Sequence, residues 1–353
     1  MDHILGPTGS LLDYAAAVEW EHRLDLTMDR VEDALFDYPA AAFQWTTEQL
    51  PELFDVFPNR VTLVHRLRAE ALQATAMGLT GALEEGETKL AKVLEHSRQT
   101  SEIPQDLYGW MHAKHASMLI RLDRPDDALE STDRGFEQLH KKTPAVQAVR
   151  AQLQMCVAWL TRLRRDWLNA RDQYRSAYDM VNHRKRVPGG YYRRGDITKT
   201  AAFLNLVNMT AQLAPSATEQ LAYLARQAIA PRHDIRSEWG FAPYHEVITS
   251  SFIGRLQMQA GTLSPAKANM EFAARGFLKL HMPIEALEAA LDLAALEPSH
   301  QTVERVFRTI VRDQQLSPRL VDLIRRGAVD EASAIRQEIA SLREKRGQAR
   351  VAA

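Results

Sequence analysis

Residues 151–180 read AQLQMCVAWL TRLRRDWLNA RDQYRSAYDM, and this stretch decides the fold. Val157-Ala158 sits in the middle of one apolar, helix-spaced run, and Asp166-Trp167 interrupts it. Ala170, Tyr174 and Ala177 then follow at spacings of four and three, which places them on one face of a second helix. The same order recurs over residues 247–276: Ile253-Gly254, then Gly261 at the turn, Leu263, and Ala266, Met270 and Ala273. Residues 109–140 carry a looser copy, with Ala116, then Arg124-Pro125 at the turn, then Ala128 and Gly135. One helix pair cannot bury its own apolar face, so small residues at these positions let neighbouring pairs approach and build a shared core. Residues 59–98, with Gly78 before the turn, and residues 197–230 match in helix-pair length and period alone. Residues 283–298, which follow Pro283, form half a unit. A non-repeating helical bundle is the competing reading.

The rest of the chain reads the same way. Alternating strand patterns are nearly absent, and apolar residues recur at three- and four-residue spacing. Ser264-Pro265 and Ser317-Pro318 predict helix starts, with a hydroxyl cap before a proline whose missing N–H costs nothing there. Thr46-Thr47-Glu48-Gln49 and Ser216-Ala217-Thr218-Glu219 have the form of capping boxes. Residues 1–58 are expected to form an N-terminal cap or small bundle. Within it a long amphipathic helix over 10–37 holds Trp20 and Phe36, a Pro39-Ala-Ala-Ala loop follows, and a short helix comes after Thr46. The repeat region spans 59–298, and residues 299–345 hold capping or dimerisation helices. There Ala328, Ala332, Ile335, Ile339 and Leu342 line one face, which can close the stack or pair with a second chain. Residues 346–353 read as a disordered tail, fraying and mildly basic from Arg343.

Composition narrows the function. The 353 residues are 45% hydrophobic and 25% charged, enough apolar material for a sizeable core. Forty-four basic and 45 acidic side chains nearly cancel, so no global field calls for nucleic acid or an anionic membrane. The single cysteine, Cys156, rules out an intrachain disulfide and fits a reducing compartment. No signal-peptide pattern opens the chain and no run of about 18 apolar residues occurs, which predicts a cytoplasmic protein without a membrane partner. Phosphate-binding glycine loops, dinucleotide fingerprints, nucleophile elbows and zinc spacings are all missing, so no enzyme and no cofactor is predicted. His112 and His115, three apart on one helix, are the nearest thing to a metal pair, and they lack a third ligand in the sequence.

The helix pairs resemble the tetratricopeptide repeat family, whose unit of about 34 residues carries small residues where helices touch and a large residue beside the turn. The resemblance is strongest in 151–180 and 247–276 and extends over 59–298. It implies an all-α, helix-pair solenoid wound as a right-handed superhelix, with the first helix of each pair lining a concave surface. Carried onto this sequence, that surface takes Trp110, Lys114, Ser117 and Arg121 from one helix and Gln152, Met155, Trp159 and Arg162 from the next. Asn205 and Asn208 come from a third, and Phe252, Arg255 and Met258 from a fourth. The charges among these are all positive, with amides and aromatics between them. Such a set suits a peptide: amides pair with an extended backbone, cations meet carboxylates, and aromatics bury apolar anchors.

In length, helix-pair make-up and asparagine-bearing surface the chain looks like the peptide-pheromone receptors of bacteria, the Rap and PlcR type. That resemblance implies a peptide-binding regulator without chemistry of its own. No helix-turn-helix appears in residues 1–58. A second reading rests on the segment 183–195, where Arg184, Lys185, Arg186, Tyr191, Tyr192, Arg193 and Arg194 form a basic, aromatic loop suited to phosphates and bases. A second long connection, 230–243, holds Arg232, His233, Arg236, Trp239 and Phe241.

Overall fold

The computed structural model describes residues 17–37, 39–56, 58, 61–100, 103–182, 191–214, 217, 244–280, 282–312, 318–327 and 330–348. These are helical and joined by short turns, with no strand among them. Helices α1 (Ala17–Asp37), α2 (Pro39–Gln44) and α3 (Leu50–Val56) come first, the last two joined by a π-helical turn, Trp45–Gln49. Helix pairs follow: α4 (Leu63–Leu79) with α5 (Leu83–Arg98), α6 (Gln105–Arg121) with α7 (Pro125–Glu137), and α8 (Pro144–Leu163) with α9 (Trp167–Asn182). Helix α10 (Tyr191–Leu213) precedes a segment outside the described residues. The chain then continues through α11 (Tyr244–Gln259), α12 (Leu263–Lys279), α13 (Pro283–Leu296), α14 (Gln301–Arg312), α15 (Pro318–Gly327) and α16 (Ala332–Gln348). This is the all-α, helix-pair repeat class that the sequence predicts.

The repeat is plainest in the backbone of its turns. After α4, α6, α8 and α11 the chain makes a three-residue turn whose middle residue is left-handed: Gly81 (φ 111°), Asp123 (φ 55°), Arg165 (φ 62°) and Gly261 (φ 74°). In each, the third turn residue donates back across five residues: Ala82 to Met77 O (3.0 Å), Arg124 to Leu119 O (2.9 Å), Asp166 to Thr161 O (3.2 Å) and Thr262 to Gln257 O (2.9 Å). Met282 does the same to Phe277 O (2.9 Å) after α12. This is the hydrogen bond of a Schellman C-cap, which satisfies carbonyls a helix end leaves orphaned. The left-handed residues stand 42 apart, from 81 to 123 and again from 123 to 165, against the expected unit of about 34. Longer helices account for the difference, since α4, α6 and α8 run to 17, 17 and 20 residues.

Small residues do the packing assigned to them. Ala116, Ala128, Ala158, Ala170, Ala177, Ala266 and Ala273 are fully buried, as is Met270, and Tyr174 nearly so. A Cβ on Gly86 of α5 would lie 2.6 Å from Ala74 O of α4, so these backbones touch where only glycine fits.

The chain divides into two compact units, residues 1–118, 127–156 and 177–199 in one, and 119–126, 157–176 and 200–353 in the other. In the first, Arg68 of α4 is buried against Asp29 and Glu32 of α1, its Nη2 3.2 Å from Glu32. Burial pulls the guanidinium's pKa down, but Glu32 and Asp29 outweigh it and hold it raised. In the second, one apolar core draws on α11 to α16, among them Val247, Phe277, Leu287, Leu291, Ile310, Leu323, Ile335 and Ile339.

Several local expectations change. Thr46 and Thr47 do not cap a helix: they lie within the π turn, and their hydroxyls donate to Phe43 O at 2.8 and 2.9 Å. The capping box is at Thr62 and His65 instead, where the imidazole Nδ1 takes the place of a carboxylate. Pro39 opens a helix rather than a loop, its fixed φ suiting a first turn. Helix α12 begins at Leu263 after Thr262, ahead of Ser264. On α16, Ile335 and Ile339 of the predicted apolar face are buried in the core of their own chain. The start of the long helix before Ala17, the Ser216 capping box, Ser317, Ala328 and the last five residues lie outside the described residues.

Candidate functional site

Helices α10 and α11, which the sequence reading takes as first helices, both bear predicted ligand residues. Within the second unit they pack through Val207, Ile253 and Leu256, with Phe203, Leu204 and Phe252 partly buried against that seam. Asn205 and Asn208 are half-buried on α10. The Asn205 amide donates to Ala201 O one turn back (2.9 Å), which leaves its carbonyl oxygen as an acceptor. Asn208 makes no side-chain hydrogen bond among the described residues. On α11, Arg255 keeps 46% of its side chain exposed while its Nε donates to Asp292 (2.7 Å), with Glu288 4.0 Å from Nη2. Amide, aromatic and guanidinium are thereby supplied by two helices that touch.

Asp292 was not among the predicted site residues. It lies on α13, only 7% exposed, and its two carboxylate oxygens each receive an arginine, Arg255 of α11 and Arg336 of α16, at 2.7 Å. The predicted surface is therefore not uniformly cationic, because α13 sets two carboxylates against Arg255. A signal was present: Glu285, Glu288 and Asp292 form the only charged stripe on the otherwise apolar sequence PIEALEAALDLAAL. A half-unit reading of that segment assigned it no surface.

The remaining predicted residues sort by burial. Trp110 is fully buried and Gln152 only 6% exposed, so both belong to the helix packing and are not presented to a ligand. The Trp110 ring instead lies 5.7 Å beneath the Lys114 ammonium, and the Gln152 amide donates to Thr198 Oγ1 (3.0 Å). The physical reason is their place along the helix: each sits where helices meet, while the residues that share their stripes, Lys114, Ser117 and Arg121 with Trp110 and Met155, Trp159 and Arg162 with Gln152, stay at least partly exposed. Lys114, Ser117 and Met155 are half-buried in the first unit, and Arg121 is exposed. In the second, Trp159 and Met258 are half-buried, and the Arg162 guanidinium rides 6.0 Å from the Trp159 ring centre. No carboxylate pairs with Arg162 among the described residues.

The basic segment is not one loop. Tyr191, Tyr192, Arg193 and Arg194 open helix α10 instead. Arg184, Lys185 and Arg186 lie outside the described residues, as does 230–243.

His112 and His115 do face a common point, which is a hydroxyl and not a metal. Ser131 Oγ of α7 is 3.0 Å from His112 Nδ1 and 3.1 Å from His115 Nδ1, while His115 Nε2 meets Glu87 of α5 at 3.2 Å. The network thus stitches α5, α6 and α7. His112 is 1% exposed, and its pKa is lowered to about 3, by burial first and then by the charges of His115, Arg98 and Arg134. Among the described residues no three metal-binding side chains converge, and no helix is long and apolar enough to cross a membrane.

No protein-family model matches the chain, and no curated protein matches it in sequence. Solved structures do. The Rap conjugation gene regulator of the plasmid pLS20, in complex with the Phr* peptide, aligns with a TM-score of 0.58 over 91% of this chain and 95% of that one, at 11% identity. BtubC (BKLC) from P. vanneervenii aligns over 68% of this chain and 90% of its own, at 16% identity and a TM-score of 0.44. The first likeness establishes a shared fold along nearly the whole chain.

Proposed function

We propose that this chain is a non-enzymatic regulator that binds a short peptide or protein segment on the first helices of its repeats, with α10 and α11 contributing most. The observation that carries the reading is the α10–α11 pair itself. Two adjoining helices offer an amide at Asn208 that is unpaired among the described residues, a carbonyl acceptor at Asn205, the partly buried ring of Phe252 and the accessible side of Arg255. An extended peptide needs this mixture, because each backbone group it buries must find a partner and its apolar side chains need a surface. The fold shared with a regulator solved with a peptide bound supports the same class of ligand.

Purification from the source organism, acid extraction and mass spectrometry should yield a bound oligopeptide, and calorimetry on the synthetic peptide then measures its affinity. Asn205→Ala and Asn208→Ala should each weaken binding by about 1–3 kcal/mol, with the fold unchanged by circular dichroism. Equal affinity in both variants would remove α10 from the site. A nucleic acid recovered in place of a peptide, with binding that falls steeply in salt, would overturn the reading.

A further inference from the structure

The turn between α8 and α9 differs from its sister turns in the side chains it exposes. Leu163, Trp167 and Leu168 are 52%, 37% and 56% exposed, so three large apolar side chains face solvent within six residues. Between them stand Arg164 and Arg165, both exposed and neither paired with a carboxylate among the described residues. Arg165 also holds the left-handed position (φ 62°) that glycine fills in two of the other turns, Gly81 and Gly261. A side chain there is strained by its own Cβ.

Sister turns show that the fold does not require this surface. The five residues Arg164-Arg-Asp-Trp-Leu168 correspond to Thr80-Gly-Ala-Leu-Glu84, Leu122-Asp-Arg-Pro-Asp126 and Ala260-Gly-Thr-Leu-Ser264. All close with the same hydrogen bond. Only the first puts two arginines ahead of two exposed apolar residues. Residues 162–175 hold five arginines, at 162, 164, 165, 171 and 175, against aspartates at 166 and 172 alone.

We infer that the α8–α9 turn is a docking surface for a second protein, one presenting acidic residues around an apolar pocket that receives Trp167 and Leu168. Tryptophan and arginine are the side chains that most often dominate protein interfaces, since each buries a large area and arginine adds directed hydrogen bonds to carboxylates. The excess of positive charge selects an acidic partner and repels a basic one. The surface is distinct from Asn205 and Asn208, so a peptide bound there and a protein bound here could be held together.

The test uses the full chain with p-benzoylphenylalanine in place of Leu168, expressed in the source organism and irradiated. A protein adduct is expected whose cross-linked segment, identified by mass spectrometry, carries acidic residues beside apolar ones. Arg164→Glu with Arg165→Glu should reduce its yield at least tenfold, and Asn205→Ala with Asn208→Ala should leave it intact. Because Arg165→Gly relieves backbone strain, it should raise Tm while lowering the yield, which separates docking from misfolding. No adduct, an adduct to a second copy of the chain, to nucleic acid or to lipid, or a yield indifferent to both arginines, would each overturn the inference. None of those outcomes bears on the peptide reading, which stands or falls on the molecule recovered from the purified protein.

Discussion

His112 shows how burial sets the behaviour of one side chain. It is neutral in the fold because its pKa is lowered to about 3, whereas in the unfolded chain it takes a proton below about 6.5. The stability it permits is therefore complete above pH 6.5 and is lost as pH falls from there toward 3, with a slope approaching 1.4 kcal/mol per pH unit. Urea unfolding followed between pH 7 and 4 should show this slope in the wild type and a shallower one in His112→Gln. Equal slopes would mean that other groups carry the acid sensitivity. Arg165 makes the opposite case, a residue held at a cost. Arg165→Gly should stabilise the chain by about 1 kcal/mol, because glycine adopts the left-handed region freely. The Cys156 thiol, buried against Ala113 O, has its pKa pushed up to about 12 by burial. It should resist alkylation in the native state at pH 8 and react only on unfolding, and rapid labelling of folded protein would contradict its placement.

At the scale of elements, charge ties helices together. Arg68 joins α1 to α4, and replacing it with alanine removes the guanidinium that Asp29 and the buried Glu32 both face. A loss of about 3–5 kcal/mol is expected, measured by chemical denaturation, and Glu32→Gln in the same background should restore part of it. Asp292 does the same for α11, α13 and α16. Neither tie was legible in the sequence, since partners 36 to 44 residues apart leave no local pattern. Helix identity was legible, because a period of three and four residues is a local property. Helix ends were less so. Thr46-Thr47-Glu48-Gln49 has the letters of a capping box, but the helical turn before it leaves its hydroxyls a carbonyl to bond, so no cap forms.

Across the whole molecule, the repeat could be read from small residues at matching positions, such as Ala170 and Ala266, because close helix packing admits few alternatives. The length of the unit could not, since lengthening the first helix of a pair changes no packing letter. The candidate site was half legible. Asn205, Asn208, Phe252 and Arg255 lie on helices that pack together, while Trp110 and Gln152 are buried at helix contacts that depend on the neighbouring helices and leave no mark in their own stripe. The turns carry a further consequence. Four different sequences, TGA, LDR, RRD and AGT, adopt one backbone closed by one main-chain hydrogen bond. The tip of each hairpin is thus a place where evolution, or a protein engineer, can rewrite the exterior without renegotiating the architecture, and tips should be interchangeable between hairpins of this chain.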